Sequence, residues 1–147
     1  MPKLLLFAPC DHVIIAQDDN NISLISILQE ITIALALEKA PEDVNILHKW
    51  QIFTLWLQEA SDDGKTFEQS CDFIGPDGRK LFTARGKFRM ERRNHRHTDT
   101  IVGFPLTKVA GECLLKLSIR EDVENSAWRE VAAFPLLVKY EPEEKPL

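Results

Sequence analysis

"TFEQSCDFIGPDGRKLFTARGKFRM", Thr66 to Met90, is the stretch on which the fold class turns. Pro76-Asp77-Gly78 in its middle combines a preset φ with a residue free to take a positive one, the chemistry of a tight turn between strands. Beyond the turn, Phe82, Ala84, Gly86, Phe88 and Met90 are apolar or small, while Thr83, Arg85, Lys87, Arg89 and Glu91 are polar. Successive side chains of a strand point to opposite faces, so this rhythm sets one face against a core and the other in water. The segment reads as a β-hairpin.

The same grammar extends on both sides. "KWQIFTLWLQE" places Trp50, Ile52, Thr54 and Trp56 on one side and Phe53, Leu55 and Leu57 on the other, which suits a strand buried on both faces or nearly so; the Asp-Gly of "SDDGK" closes it. Leu4 to Gln17, the polar run "DDNN" at Asp18 to Asn21 and the returning "ISLISIL" make another hairpin. Gln29 to Ala40 opens with β-branched residues and ends in helix formers before Pro41, predicting a strand to about Leu37 and a helical turn within 36–42. "TDTIVGFPL", "GECLLKLSIRED" and "AWREVAAFPLLVKY" supply three more strands. Pro135 places the last at an edge or bulge, since proline cannot donate to a ladder. The expectation is an all-β, antiparallel two-sheet sandwich of about seven or eight strands, Ig-like or C2-like, over residues 1–140, with a disordered tail at 141–147.

Length and composition agree with one domain. The 147 residues suffice for a single core, and 44% hydrophobic with 28% charged residues is ordinary for a globular protein. The longest apolar run, "ITIALAL" (Ile31 to Leu37), is far short of the roughly 20 residues of a membrane-crossing helix. It is also too apolar to face water, so either the sandwich covers both its faces or a second copy of the chain does, which makes a homodimer one of the two alternatives. The apolar stretch Leu4 to Ala8 is too short for an export signal, which points to the cytoplasm. Cys10, Cys71 and Cys113 are odd in number and irregular in spacing, and predict free buried thiols rather than disulfides or a zinc site.

Several landmarks, in order along nearly the whole chain, resemble a family of small bacterial β-sandwich proteins of uncharacterised function. They are Cys10-Asp11, "NNISLISILQEI", Pro41 followed by "FTLWL", the hairpin Gly75 to Gly78, "FPL" at Phe104 to Leu106, and "GECLLKLSI". Cys113 stands where that pattern usually has an aromatic. The resemblance implies a compact sandwich in a bacterial setting and brings no catalytic residue with it.

The sharpest charge feature is Arg85 to His97. Its six basic residues and one acid, Glu91, give +5, so the other twelve basic and twenty-two acidic residues carry −10 within a net charge of −5. Arg85, Lys87 and Arg89 fit the wet face of a strand. Arg92, Arg93, His95, Arg96 and His97 lie beyond the alternating part, in an expected loop, where their mutual repulsion favours acidic neighbours or a bound anion. Arg89, Arg92, Arg93, His95, Arg96 and His97 are therefore the candidate contacts for an acidic protein or anionic ligand, in a binding module with no catalytic residue and no cofactor. A second reading is nonspecific, salt-sensitive nucleic-acid or phosphate binding through the same residues, without any recognised nucleic-acid motif. His95-x-His97, with only Asp99 nearby, is too few ligands for zinc. A third reading is a thiol hydrolase at Cys10 and His12, against which Cys10 is simply a small buried hydrophobe. Trp50 and Trp56 are expected in the core and Trp128 at the rim.

Overall fold

The computed structural model describes residues 1–142; the side chains of residues 43, 44, 106 and 107 are outside that description. Among the described residues nine strands form two sheets. The first sheet has the order β2 (Ile22–Ile27), β1 (Lys3–Ile15), β4 (Asp43–Leu57), β7 (Asn94–Thr107). The second has the order β3 (Glu30–Ile33), β9 (Arg129–Tyr140), β8 (Gly111–Glu121), β5 (Thr66–Ile74), β6 (Lys80–Arg89). The all-β, two-sheet expectation holds, with a correction: the first sheet is antiparallel, but β3 runs parallel to β9, so the second is mixed. Parallel neighbours need a long connection. Five strands, β4 to β8, lie between β3 and β9 in the chain, so that requirement is met without a crossover helix.

Side-chain alternation builds the interior. Trp50, Ile52, Thr54 and Trp56 of β4 meet Phe67, Gln69, Cys71 and Phe73 of β5 and Cys113, Leu115, Leu117 and Ile119 of β8, all buried. The hairpin read from Thr66 to Met90 is β5–β6, with Phe67 opposite Phe88, Cys71 opposite Ala84 and Gly78 at φ +84° in its turn. All three thiols are free and buried. Pro135 lies on a part of β9 that β3 does not reach, since β3 pairs only with Leu137 to Tyr140, so its missing N–H falls on a locally open edge.

The stretch 29–40 departs from expectation. Its strand stops at Ile33, and a single 3-10 turn follows at Leu37–Lys39, inside the predicted window. Ile31 and Ile33 are buried in the chain's own inter-sheet core, while Leu35 and Leu37 are exposed. Of the predicted tail, residues 143–147 lie outside the described residues.

β4 has a second cover, on the far side of the first sheet. Ala8, Cys10 and Phe53 are buried yet stand apart from the inter-sheet cluster. Over them lies the outer half of the β1–β2 hairpin, folded back on its own sheet. The Val13 N–H donates to Gln51 Oε1 (2.7 Å), and the hairpin tip accepts a hydrogen bond from β7, described below. This fold-back is what buries β4 on both faces.

Candidate functional site

The predicted loop from Arg92 to His97 is largely strand. β6 ends at Arg89, the chain crosses from the second sheet to the first through Met90 to Arg93, and β7 begins at Asn94. The crossing is held by backbone hydrogen bonds from Met90 to Lys65, Gly64 to Met90, and Gln58 to Arg93. The register pairs His95 with Trp56, Arg96 with Leu55 and His97 with Thr54. Trp56 and Thr54 face the interior, so His95 and His97 point inward and Arg96 outward. The basic run is therefore split by strand parity into two environments.

The inward half is a half-buried polar seam where the edge strands β6 and β7 meet. His95 stacks on Phe88, ring centroids 4.4 Å apart. His97 lies over Gly86 and pairs with Asp99, Nε2 to Oδ1 3.0 Å. Nearby, the buried Gln69 Oε1 accepts from Thr54 Oγ1 (2.8 Å) and Trp56 Nε1 (2.9 Å). Burial, and secondarily the neighbouring His97, holds the His95 pKa below its ordinary value.

The outward half is an open depression of about 590 Å³ bordered by Arg89, Arg92, Arg93, Arg96, Asn94 and the edge of His95, with Asn20 closing one side. Two of its guanidinium groups are fixed. Arg96 Nη2 donates to the Asn20 carbonyl at 2.6 Å, while Nη1 reaches Asn20 Oδ1 at 3.4 Å. Arg89 Nε donates to the Gly64 carbonyl (3.1 Å) and lies 3.5 Å from Glu91 Oε1, the one acid on the rim. Arg92 and Arg93 are exposed, and neither guanidinium has an ion-pair or hydrogen-bond partner among the described residues. Of the six predicted residues, five border one depression; His97 does not.

Asn20 was not legible as part of the site. It lies 76 positions from Arg96 and reaches it through the folded-back hairpin. The available signal was the turn itself: Asn20 takes φ +59°, a conformation asparagine tolerates well.

The remaining basic residues of β6 are paired. Lys87 lies 3.3 Å from Asp122, and Arg85 sits over the Trp128 ring, which Arg120 flanks at 4.4 Å. Arg120 also reaches Glu68 at 3.4 Å.

At Cys10-Asp11-His12, Cys10 is buried while His12 is exposed, and Asp11 pairs with His48 of β4 (2.8 Å) rather than with His12. Burial, then the adjacent Asp11, pushes the Cys10 thiol pKa up, away from the thiolate a nucleophile needs. No group of three or more His, Cys, Asp or Glu able to hold a metal occurs among the described residues. Among the same residues no helix is long and apolar enough to cross a membrane. No protein-family model matches the chain, and no curated protein matches it in sequence.

Proposed function

We propose that this protein is a non-enzymatic binding module that takes an acidic segment of a partner protein into the depression at the β6–β7 crossing. One observation carries the reading: among the described residues Arg92 and Arg93 have no partner, and they stand beside Arg89 and Arg96, whose guanidinium groups are held by backbone carbonyls. A guanidinium fixed beforehand loses less freedom when it takes a carboxylate, and its planar fork binds one bidentately. The uneven distribution of charge, −10 outside the basic run, also orients an acidic partner toward this end. Kinship with small bacterial sandwich proteins belongs to the same proposal and rests on the order of the landmarks.

The alternative is nonspecific nucleic-acid or phosphate binding by the same arginines. It draws less support, because no exposed aromatic borders the depression to stack a base. Fluorescence anisotropy of labelled oligoglutamate and labelled single-stranded DNA, titrated with salt, separates the two. The proposal expects oligoglutamate binding that weakens with salt and disappears in Arg92→Glu/Arg93→Glu. Preference for DNA under the same conditions would favour the alternative, and binding of neither at low salt would remove both.

A further inference from the structure

The arginine-lined depression does not end at Arg96. Asn94 and Arg96 also border a second open trough, about 380 Å³, on the outer face of the first sheet. Its walls are Leu6, Leu55, Ile22 and Leu24, and its floor is the buried Phe53. β7 contributes Arg96, β4 Phe53 and Leu55, β1 Leu6, and the folded-back β2 Ile22 and Leu24. A basic cup and an apolar trough thus share one wall, and Asn20 and Asn21 of the hairpin tip border one each.

Resting on the proposed function, we infer that the acidic segment is recognised together with large apolar side chains immediately beside its carboxylates, the acids in the cup and the apolar residues in the trough. Charge complementarity selects the occupant on one side of Arg96, and the leucine, isoleucine and phenylalanine lining selects it on the other. Both depressions are open along their length, whereas small-molecule sites enclose most of their ligand. An extended peptide fits such a surface better than a free amphiphile, because its backbone stays in water while alternate side chains dock. Arg96 is the hinge of the selectivity: its position beside Leu55 and Asn20 sets the distance between the acid and the apolar anchor.

Calorimetry with three synthetic ligands tests this: a pentapeptide of three glutamates followed by leucine and phenylalanine, the same peptide with alanines in place of the last two residues, and dodecyl phosphate. The inference expects the apolar pair to tighten binding about tenfold or more, the worth of burying one large side chain. It expects Leu24→Asn, which removes apolar surface without adding charge, to abolish that advantage and leave the alanine peptide's affinity unchanged. Equal binding of both peptides would overturn the inference while leaving the acidic-segment reading intact; binding of neither peptide would overturn both. Dodecyl phosphate binding more tightly than the leucine-phenylalanine peptide would also overturn it, in favour of a lipid-like ligand. The peptide comparison needs no protein variant, so it decides the matter even if Leu24→Asn does not fold.

Discussion

Gly86→Ala tests the seam between the two edge strands. A Cβ at this position would stand 2.4 Å from His97 Cε1 and 2.5 Å from Nε2, against a comfortable separation of about 3.5 Å or more. The Gly86 backbone is not in the left-handed region, so alanine meets a steric problem only. The imidazole must retreat by about 1 Å, but its 3.0 Å bond to Asp99 opposes that. Asp99 Oδ2 is buried without a hydrogen-bond partner among the described residues, so losing the bond from His97 to Oδ1 would leave a half-buried carboxylate poorly satisfied. Overpacking of this kind costs roughly 1–3 kcal/mol, and loss of the histidine–carboxylate bond about 1 kcal/mol more. The gain from replacing a strand glycine offsets about 0.5 kcal/mol. The expected net loss is about 2 kcal/mol, read as an earlier urea midpoint with unchanged slope by tryptophan fluorescence. In a His97→Ala background the space is vacant, and adding Gly86→Ala should cost no more than about 0.5 kcal/mol. Gly86→Ala at wild-type stability, or at the same cost in both backgrounds, would refute the packing of His97 over Gly86.

Three further outcomes follow from the same interior. Burial keeps the His95 pKa below 6.5, so the unfolded chain takes up that proton first. Its contribution to stability is therefore complete above about pH 6.5 and lost as pH falls below it. Urea titrations from about pH 7.5 to about 5 should show the wild type losing more stability than His95→Phe, and parallel curves would contradict the assignment. Gln69→Leu strands the Trp56 indole N–H and leaves the Thr54 hydroxyl only a long 3.5 Å contact with the His97 carbonyl, and should cost about 1–3 kcal/mol by chemical denaturation; a change below about 1 kcal/mol would mean that the indole finds another acceptor. Burial raises the Cys71 thiol to about 12 and the Cys113 thiol to about 11, and Cys10 is fully buried, so all three should label slowly with a maleimide in the native protein and quickly after unfolding. Rapid native labelling of Cys10 would revive the thiol-enzyme reading.

The two-residue period of the strands carried most of the architecture into the sequence. The β5–β6 hairpin, the inward tryptophans of β4 and the outward arginines of β6 are all matters of parity, and parity is local. At Arg92 to His97 the density of charge masked that parity and suggested a loop. Ladder pairing of Asn94 to Leu57 onward makes it a strand, and the pairing partner lies far away in sequence. Parity applied from Asn94 would have divided the histidines from Arg96 correctly. The parallel β3–β9 pair was out of reach for another reason: hydrophobic alternation says which face a residue occupies but not which strand lies beside it, or in which direction. Asn20 and the apolar trough depend on the hairpin folding back over its own sheet, a tertiary event whose only local trace is the double burial of β4.

Arginine side-chain Nε–Hε spectra during titration with oligoglutamate at low salt test the central claim most directly. The account predicts shifts concentrated at Arg89, Arg92, Arg93 and Arg96, with Arg120, engaged by Glu68 and Trp128, unmoved. Unchanged resonances at Arg92 and Arg93, or larger shifts at Arg85 and Arg120 than at these two, would contradict it.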